Sequence, residues 1–341
     1  MKAAERIGFA VVGLGSIAQS SVLPAFAHSK KARLVAVVSR DKKKAKKLAR
    51  KFGADHAYST DEYSTCLSNP DVSAIYIATP QGEHETLTTQ AAKAGKHILC
   101  EKPLAAMVEQ SARMVAACQQ HGVLLMTAYR KYFEPSSLYL KKLIREGSLG
   151  RIDVIHTAFS ELHLPGTSLP WLLDARLAGG GPLMDLGVYC VNTTRWLVDE
   201  DPVEVSAQSW RHDTAHFCEV EEGIAFRMNF RSGLVVQGTS TYGAAPSSFI
   251  HVQGTKGWAL LAPAFPFEEE RRLTGKIQGR WFEKKFKVVD EFAPELDAFA
   301  TAIQTGANVE PDGRQGHRDV EIIHAIYASA KSGAPAVVRY D

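Results

Sequence analysis

The chain has 341 residues, of which 45% are hydrophobic and 23% are charged, and its net charge is +3. These proportions indicate a folded globular protein, exclude a disordered or fibrous chain, and at this length favour two domains. The near balance of charge does not support a nucleic-acid partner. No stretch approaches 18 uninterrupted apolar residues and the N-terminus lacks a signal-peptide pattern, so we expect no membrane association and a cytoplasmic location. The five scattered cysteines show no CxxC spacing and are expected to be reduced thiols.

Short apolar runs alternate with helix-length segments in the first 128 residues. Strands are predicted at residues 7–12, 34–39, 74–78, 97–100 and 124–128. Buried strands separated by helices are typical of βαβ units and of a parallel sheet covered on both faces. The sequence therefore predicts an N-terminal Rossmann domain, with a doubly wound parallel sheet, over residues 1–128.

The rhythm changes after residue 128. Helices are predicted at residues 136–146, 182–197, 292–304 and 318–331, and a strand begins at Arg151. Closely spaced strands between Val203 and Leu261 include residues 224–230, 234–241 and 249–252, with turns at 231–233 and 254–257. This pattern predicts a C-terminal α+β domain over residues 129–341, with a large and mainly antiparallel sheet, that binds substrate and mediates oligomerisation.

A G-x-G-x-x-A fingerprint follows the first predicted strand and opens the first helix; it comprises Gly13, Gly15, Ser16, Ile17 and Ala18, with Leu14 between the glycines. Gly13 permits the tight turn, Gly15 lets the backbone approach a pyrophosphate, and Ala18 allows close helix packing. The phosphates are then expected on a helix N-terminus. The alternative is a purely structural turn, but the position between strand and helix favours a dinucleotide site.

The end of the second strand predicts the choice of cofactor. NAD sites usually carry a carboxylate here for the ribose 2′-hydroxyl, whereas this chain has Ser39 and Arg40 followed by Lys44. A hydroxyl and cations suit a 2′-phosphate, so NADP is predicted in preference to NAD. Eight of the twelve residues 40–51 are basic. The remaining cations of this segment are interpreted as a solvated helix face, since no interleaved aromatic residues suggest nucleic-acid binding.

Two further motifs carry candidate chemistry. Glu101-Lys102-Pro103 follows the fifth predicted strand, where open α/β sheets bind ligands. Gly179-Gly180-Gly181 precedes Asp185 and Tyr189, which are four residues apart and share a helix face. Either motif alone is compatible with a structural role. Together with the fingerprint, they resemble the Gfo/Idh/MocA family of oxidoreductases, with Tyr189 favouring its glucose-fructose oxidoreductase-like branch over the branch that carries histidine.

The resemblance implies roles for individual residues. Lys102, Tyr189 and Asp185 would be catalytic, with Tyr189 as the acid/base, Lys102 as a cation that stabilises the phenolate, and Asp185 as a ligand of substrate hydroxyls. Ser39, Arg40 and Lys44 would bind the 2′-phosphate, and Tyr58 would lie near the adenosine. The cofactor cleft would be lined by Thr79, His84, Glu101, Lys102, Arg130 and Trp171. Leu172 departs from the pattern of the glucose-fructose oxidoreductase-like branch, which has arginine after the tryptophan, so the loss of a charged contact is expected there.

The expected activity is NADP(H)-dependent hydride transfer at a CH–OH or C=O carbon of a sugar or polyol. The enzymatic alternative is a trans-dihydrodiol or anhydro-sugar reductase type of enzyme, and the non-enzymatic alternative is an NADP-binding regulatory protein. Retention of both Lys102 and Tyr189 favours an enzyme. No HxxxH motif or carboxylate cluster accompanies the histidines, so no metal is predicted. Apart from the small-molecule substrate, the expected partner is a second copy of the chain, in a homodimer or homotetramer.

Overall fold

The computed structural model describes residues 6–166 and 170–340. These residues form two compact units: one comprises those up to Arg130 together with residues 290–317, and the other comprises those from 131 to 289 and from 318 onward. The sequence division after residue 128 gives residues 290–317 to the second domain, whereas in the structure they contribute to the first unit. No helix in the described part of the chain is long and apolar enough to cross a bilayer.

The first unit contains a six-stranded parallel sheet in the order β3-β2-β1-β4-β5-β6. Its strands are β1 (Ile7–Val12), β2 (Ala32–Ser39), β3 (His56–Ser59), β4 (Ala74–Ile77), β5 (His97–Glu101) and β6 (Leu125–Ala128). Its first five helices are α1 (Leu23–Ala25), which continues a π-helical turn (Ala18–Val22), α2 (Lys42–Phe52), α3 (Tyr63–Leu67), α4 (His84–Lys93) and α5 (Val108–Gln120). Every neighbouring pair of strands is parallel, which confirms the predicted Rossmann sheet.

The second unit contains a nine-stranded sheet in the order β14-β13-β12-β11-β7-β10-β9-β8-β15. Its strands are β7 (Ile152–Leu162), β8 (Pro202–Trp210), β9 (Gly223–Phe230), β10 (Val235–Thr241), β11 (Gly243–Gly254), β12 (Gly257–Ala262), β13 (Arg271–Ile277), β14 (Arg280–Phe286) and β15 (Ala336–Val337). The pair β7 and β10 is parallel, and the other pairs are antiparallel. This confirms the mainly antiparallel sheet expected from the sequence.

The helical segments that follow β6 are, in chain order, α6 (Pro135–Arg145), α7 (Ala175–Ala178), a π-helical turn (Leu183–Gly187), α8 (Val188–Val198), α9 (Phe292–Thr305) and α10 (Gly313–Ser332). Short 3-10 turns occur at Thr60–Glu62, Gln81–Glu83, Arg130–Phe133 and Pro170–Leu173. In the first unit, α9 packs against the sheet, with the ring centroids of Phe299 and Phe9 6.1 Å apart. The chain passes from the first unit to the second within α10.

Strand β15 was not predicted from the sequence, nor were β3, β13 and β14. Strands β13 and β14 carry many charged side chains. Strand β14 (Arg280–Phe286) lies at an edge of the sheet, and all but two of its residues are exposed. Such an edge strand lacks the apolar alternation that identifies a half-buried strand. The signal that the sequence offers is Gly279, since glycine readily adopts the positive φ (81°) that it has in the turn between these strands.

Candidate active site

The predicted cofactor residues of the first unit gather at one edge of the parallel sheet. Since all six strands run in the same direction, their carboxyl ends meet at that edge. The residues that follow or end successive strands are Gly13, Gly15, Ser16 and Ile17 after β1, Ser39, Arg40 and Lys44 after β2, Tyr58 in β3, Thr79 after β4, Glu101 and Lys102 at β5, and Arg130 after β6.

The turn after β1 requires glycine at Gly13. Its φ is +90°, and a Cβ there would lie 2.5 Å from the carbonyl oxygen of Ala78 in the loop after β4. At Gly15 an added Cβ would meet no heavy atom within 4 Å, so the space before the backbone is open. The helical run begins directly afterwards, at Ser16. This combination fits a phosphate group approaching the backbone at a helix N-terminus.

The carboxylate next to Arg40 belongs to Asp41, and it accepts hydrogen bonds from the helix that follows. Asp41 is the N-cap of α2, and its Oδ1 accepts the backbone N–H groups of Lys43 at 2.8 Å and Lys44 at 3.0 Å. It is therefore engaged in capping. Arg40 is exposed, and Ser39 and Lys44 are partly exposed. The edge of the sheet that the adenosine ribose would approach thus presents a hydroxyl and cations.

His84 is placed differently from what the resemblance implies. Its ring is fully buried, with Nε2 2.9 Å from the carbonyl oxygen of Thr79 and Nδ1 3.1 Å from that of Leu104. Burial lowers the pKa of His84 and is the largest effect on it, while the hydrogen bonds to the carbonyl groups act in the opposite direction. Both nitrogens face backbone, so His84 links the loops after β4 and β5 and does not line a cleft.

Glu101 is the partly exposed carboxyl group at the end of β5. Its Oε1 accepts the hydroxyl of Tyr76 at 2.9 Å, and its Oε2 accepts the backbone N–H of Lys102 at 3.2 Å. Burial raises the pKa of Glu101, opposed by the Lys102 cation and these hydrogen bonds. Arg130, also expected to line the cleft, is 4% exposed and forms an ion pair with the buried Glu291. Its charge is therefore engaged within the first unit.

The second unit carries Asp185 and Tyr189 on one continuous helical run. Asp185 lies in the π-helical turn, and Tyr189 lies in the first turn of α8. The sequence predicted a single α-helix here, and the structure instead begins it with a π-turn. Because four residues are close to one full turn in either geometry, the two side chains still lie on nearly the same face. Such π-turns occur frequently at functional sites.

Asp185 is held by Tyr242, which the sequence did not single out. The Tyr242 hydroxyl donates to Oδ2 of Asp185 at 2.9 Å, and the Tyr242 ring is fully buried and stacks on His163 at 4.0 Å. Burial, and then the charge of Asp185, raise the pKa of Tyr242 well above its usual value. Tyr242 therefore stays protonated and acts as a donor to the carboxylate.

The Tyr189 ring lies among aromatic residues. Its centroid is 6.0 Å from that of Phe159 and 5.6 Å from that of Phe265. The side chain is 8% exposed. Trp171 is partly exposed in the 3-10 turn Pro170–Leu173. Its neighbour Leu172 is 6% exposed, so the position where the resemblance led us to expect arginine is filled by a buried apolar side chain.

Phe159, Phe265 and Tyr242 could not be identified from the sequence as neighbours of the candidate residues. Tyr242 is 57 positions from Asp185, and no spacing rule joins two residues across such a separation. The one local signal for Tyr242 is its position directly after β10, at the end of a predicted strand. A strand end alone does not show which side chain will contact a carboxylate.

The parallel sheet with its glycine turn, followed by a unit with Asp185 and Tyr189 on one helical face, defines a two-domain dinucleotide-binding oxidoreductase. Two family models match the chain. The model of the oxidoreductase family with an NAD-binding Rossmann fold matches residues 7–129, and the model of the GFO/IDH/MocA C-terminal domain matches residues 137–260. The chain belongs to the Gfo/Idh/MocA family, as the resemblance implied.

Individual relatives cover nearly the whole chain. An NADP(+) D-xylose 1-dehydrogenase of Haloarcula marismortui is 32% identical over 98% of this chain and 93% of its own length. A second such enzyme, from Haloferax volcanii, is 31% identical over 96% of this chain and 98% of its own. The crystal structure of an aldose-aldose oxidoreductase from Caulobacter crescentus has 33% identity and a TM-score of 0.93, covering 98% of this chain and all of that one.

Proposed function

We propose that the protein is an NADP(H)-dependent oxidoreductase that acts on a carbinol carbon of an aldose or a related polyol. The observation that carries this proposal is the pair Asp185 and Tyr189 on one helical face, with Asp185 fixed by Tyr242. The NADP(+) xylose dehydrogenases and the aldose-aldose oxidoreductase among the relatives support a sugar as substrate.

The preference for NADP rests on the residues after β2. Ser39, Arg40 and Lys44 would hold the 2′-phosphate, while Asp41 is committed to capping α2. Gly13 and Gly15 would admit the pyrophosphate, Tyr58 would lie by the adenosine, and Thr79, Glu101 and Lys102 would meet the nicotinamide half. When bound, NADP accepts a hydride from the substrate carbon or returns one to it.

Side chains of the protein would transfer the proton of the substrate hydroxyl group. In the oxidative direction the substrate hydroxyl gives its proton to Tyr189 as the carbon loses hydride, so that a C=O bond forms and one proton is released. As the family resemblance implies, Lys102 would supply a positive charge to stabilise the phenolate. Asp185 accepts a substrate hydroxyl through a carboxylate that Tyr242 keeps in one orientation.

Purified protein incubated with NADP and a panel of aldoses, polyols and diols tests the proposal, with reduced cofactor followed by absorbance. We expect turnover with at least one aldose or polyol, and a decrease in kcat of roughly 10²- to 10⁴-fold for Tyr189→Phe with little change in NADP affinity. Tyr139→Phe, which removes the same hydroxyl from the surface of α6, is the matched control. NADP binding without turnover on any substrate would instead support the regulatory alternative.

We also propose that the chain forms a homodimer or homotetramer through the outer face of its nine-stranded sheet. On β7, Ile155, Thr157 and Phe159 are buried, whereas the alternating His156 and Ala158 are partly exposed. The outer face also carries an aromatic cluster: the ring centroids of Trp258 and Trp281 are 5.3 Å apart, and Trp281 is 70% exposed. Light scattering at micromolar concentration should show a dimer or larger, and a monomer would contradict the proposal.

A further inference from the structure

We propose that Glu221 and Tyr327 are positioning residues that hold the glycine loop, and through it the helical run bearing Asp185 and Tyr189. The inference rests on the proposed function, since it concerns the placement of those two side chains. Neither Glu221 nor Tyr327 is part of a recognisable motif. Both belong to the second unit, as does the loop that they contact.

The Glu221 carboxyl group receives three hydrogen bonds. Its Oε2 accepts the N–H of Gly181 at 2.9 Å, and its Oε1 accepts the N–H of Leu183 at 3.1 Å and the hydroxyl of Tyr327 at 2.8 Å. Glu221 is 6% exposed. Because every one of these partners donates, the arrangement is complementary to the ionised carboxylate, which only accepts. The negative charge also lies at the N-terminal end of the helical run, where it is favourable.

The small residues of the loop are required by this contact. A Cβ on Gly180 would lie 2.1 Å from the Tyr327 hydroxyl oxygen, and a Cβ on Gly181 would lie 2.4 Å from the backbone oxygen of Glu221. Larger residues would push the loop away from both partners. The contact thus gives a physical reason for two of the three consecutive glycines ahead of Asp185.

The charge of Glu221 also acts on the group that holds Asp185. After burial and the Asp185 carboxylate, Glu221 is a further cause that raises the pKa of Tyr242. The charge therefore favours the protonated Tyr242 that donates to Asp185. Within the described part of the chain, Tyr327 on α10 donates to Glu221 and has His324 beside it, and Tyr242 after β10 is affected by the charges of Asp185, Glu221 and Glu161.

Burial raises the pKa of Glu221, in opposition to its hydrogen bonds. Its protonation would replace an acceptor with a donor that faces other donors, which should loosen the loop as the pH falls. An acid limb in the pH profile of kcat/KM should therefore lie above the usual carboxyl range, and it should be flattened in Glu221→Gln. A role limited to stability would leave the shape of this profile unchanged.

The test compares Glu221→Gln with Glu222→Gln in the full-length protein. Glu222 is equally buried, but it accepts the backbone N–H groups of His212 and Asp213, in a different loop. We expect Glu221→Gln to lower kcat for the sugar roughly 10- to 100-fold while NADP affinity stays within about twofold, and Glu222→Gln to retain kcat within about twofold. Melting temperatures of both variants show that each is folded.

Equal losses of kcat in the two variants, or an unchanged kcat and pH profile in folded Glu221→Gln, would overturn the inference. Should Glu221→Gln not fold, Tyr327→Phe removes one of the three hydrogen bonds without adding volume. It should lower kcat roughly 3- to 10-fold, and full activity would likewise overturn the inference. The parent chain in the same assay separates the two proposals, because NADP binding without turnover of any sugar or polyol would refute the proposed function itself. Normal turnover in Tyr189→Phe would instead assign the proton transfer to another group.

Discussion

Replacing Glu295 with glutamine should remove a pH-dependent loss of stability from the first unit. Glu295 lies in α9, is fully buried, and has no hydrogen-bond partner for either carboxyl oxygen within residues 6–166 and 170–340. Burial raises the pKa of Glu295 well above its usual value, and the Glu101 carboxylate raises it further, against the opposing effect of Arg130. The folded protein therefore keeps a proton on Glu295 at pH values where the unfolded chain releases it.

The sign and size of the effect follow from this difference in protonation. Above the pKa of the unfolded carboxyl, about 4.3, the unfolded state binds fewer protons than the folded state, so the free energy of unfolding falls as the pH rises. One proton corresponds to about 1.4 kcal/mol per pH unit, until Glu295 itself ionises in the folded state. Glutamine has nearly the same shape and no proton to lose. The variant should therefore become progressively more stable than the parent chain as the pH rises.

Thermal unfolding of both proteins between about pH 5 and pH 7 measures this difference. For a unit of this size, the difference in melting temperature between Glu295→Gln and the parent should increase by roughly 3–6 °C per pH unit as the pH rises. Glu109→Gln, which changes an exposed carboxyl group in the first turn of α5, should leave the pH dependence of the parent unchanged. A melting-temperature difference between Glu295→Gln and the parent that does not vary with pH would refute the reasoning.

Four other variants test the candidate site. Arg40→Asp should raise the dissociation constant of NADP much more than that of NAD, and equal losses would refute the 2′-phosphate assignment. Gly13→Ala should abolish NADP binding, measured by fluorescence titration, because alanine strains φ at +90°. Tyr242→Phe should raise KM for the sugar roughly 10-fold at unchanged NADP affinity, since Asp185 loses a donor; an unchanged KM would remove Tyr242 from the site. Lys102→Met should lower kcat and move the alkaline limb of its pH profile upward, and an unshifted limb would exclude the cation's effect on the phenolate.

The parallel sheet and its glycine turn could be predicted because their signals are local. Each buried strand is a continuous apolar run, and the fingerprint lies between a strand and a helix. The sequence also predicted that the candidate residues lie at the carboxyl-end edge of this sheet, because parallel strands end at the same edge. His84 shows the limit of such reasoning: the family resemblance implied a place in the cleft, but only the packing shows that both ring nitrogens face backbone carbonyls.

The sequence by itself determined the family, the two-domain order and the helical face shared by Asp185 and Tyr189, because each depends on neighbours within a few residues. The tertiary structure decided which distant groups fix that face. Tyr242 is 57 positions from Asp185, and Tyr327 is 106 positions from Glu221. It also placed α9 in the first unit, with Glu295 near the charge of Glu101. An amphipathic helix pattern states which face is buried but not against which sheet, and a buried carboxyl acquires its altered proton affinity only from the groups that folding places around it.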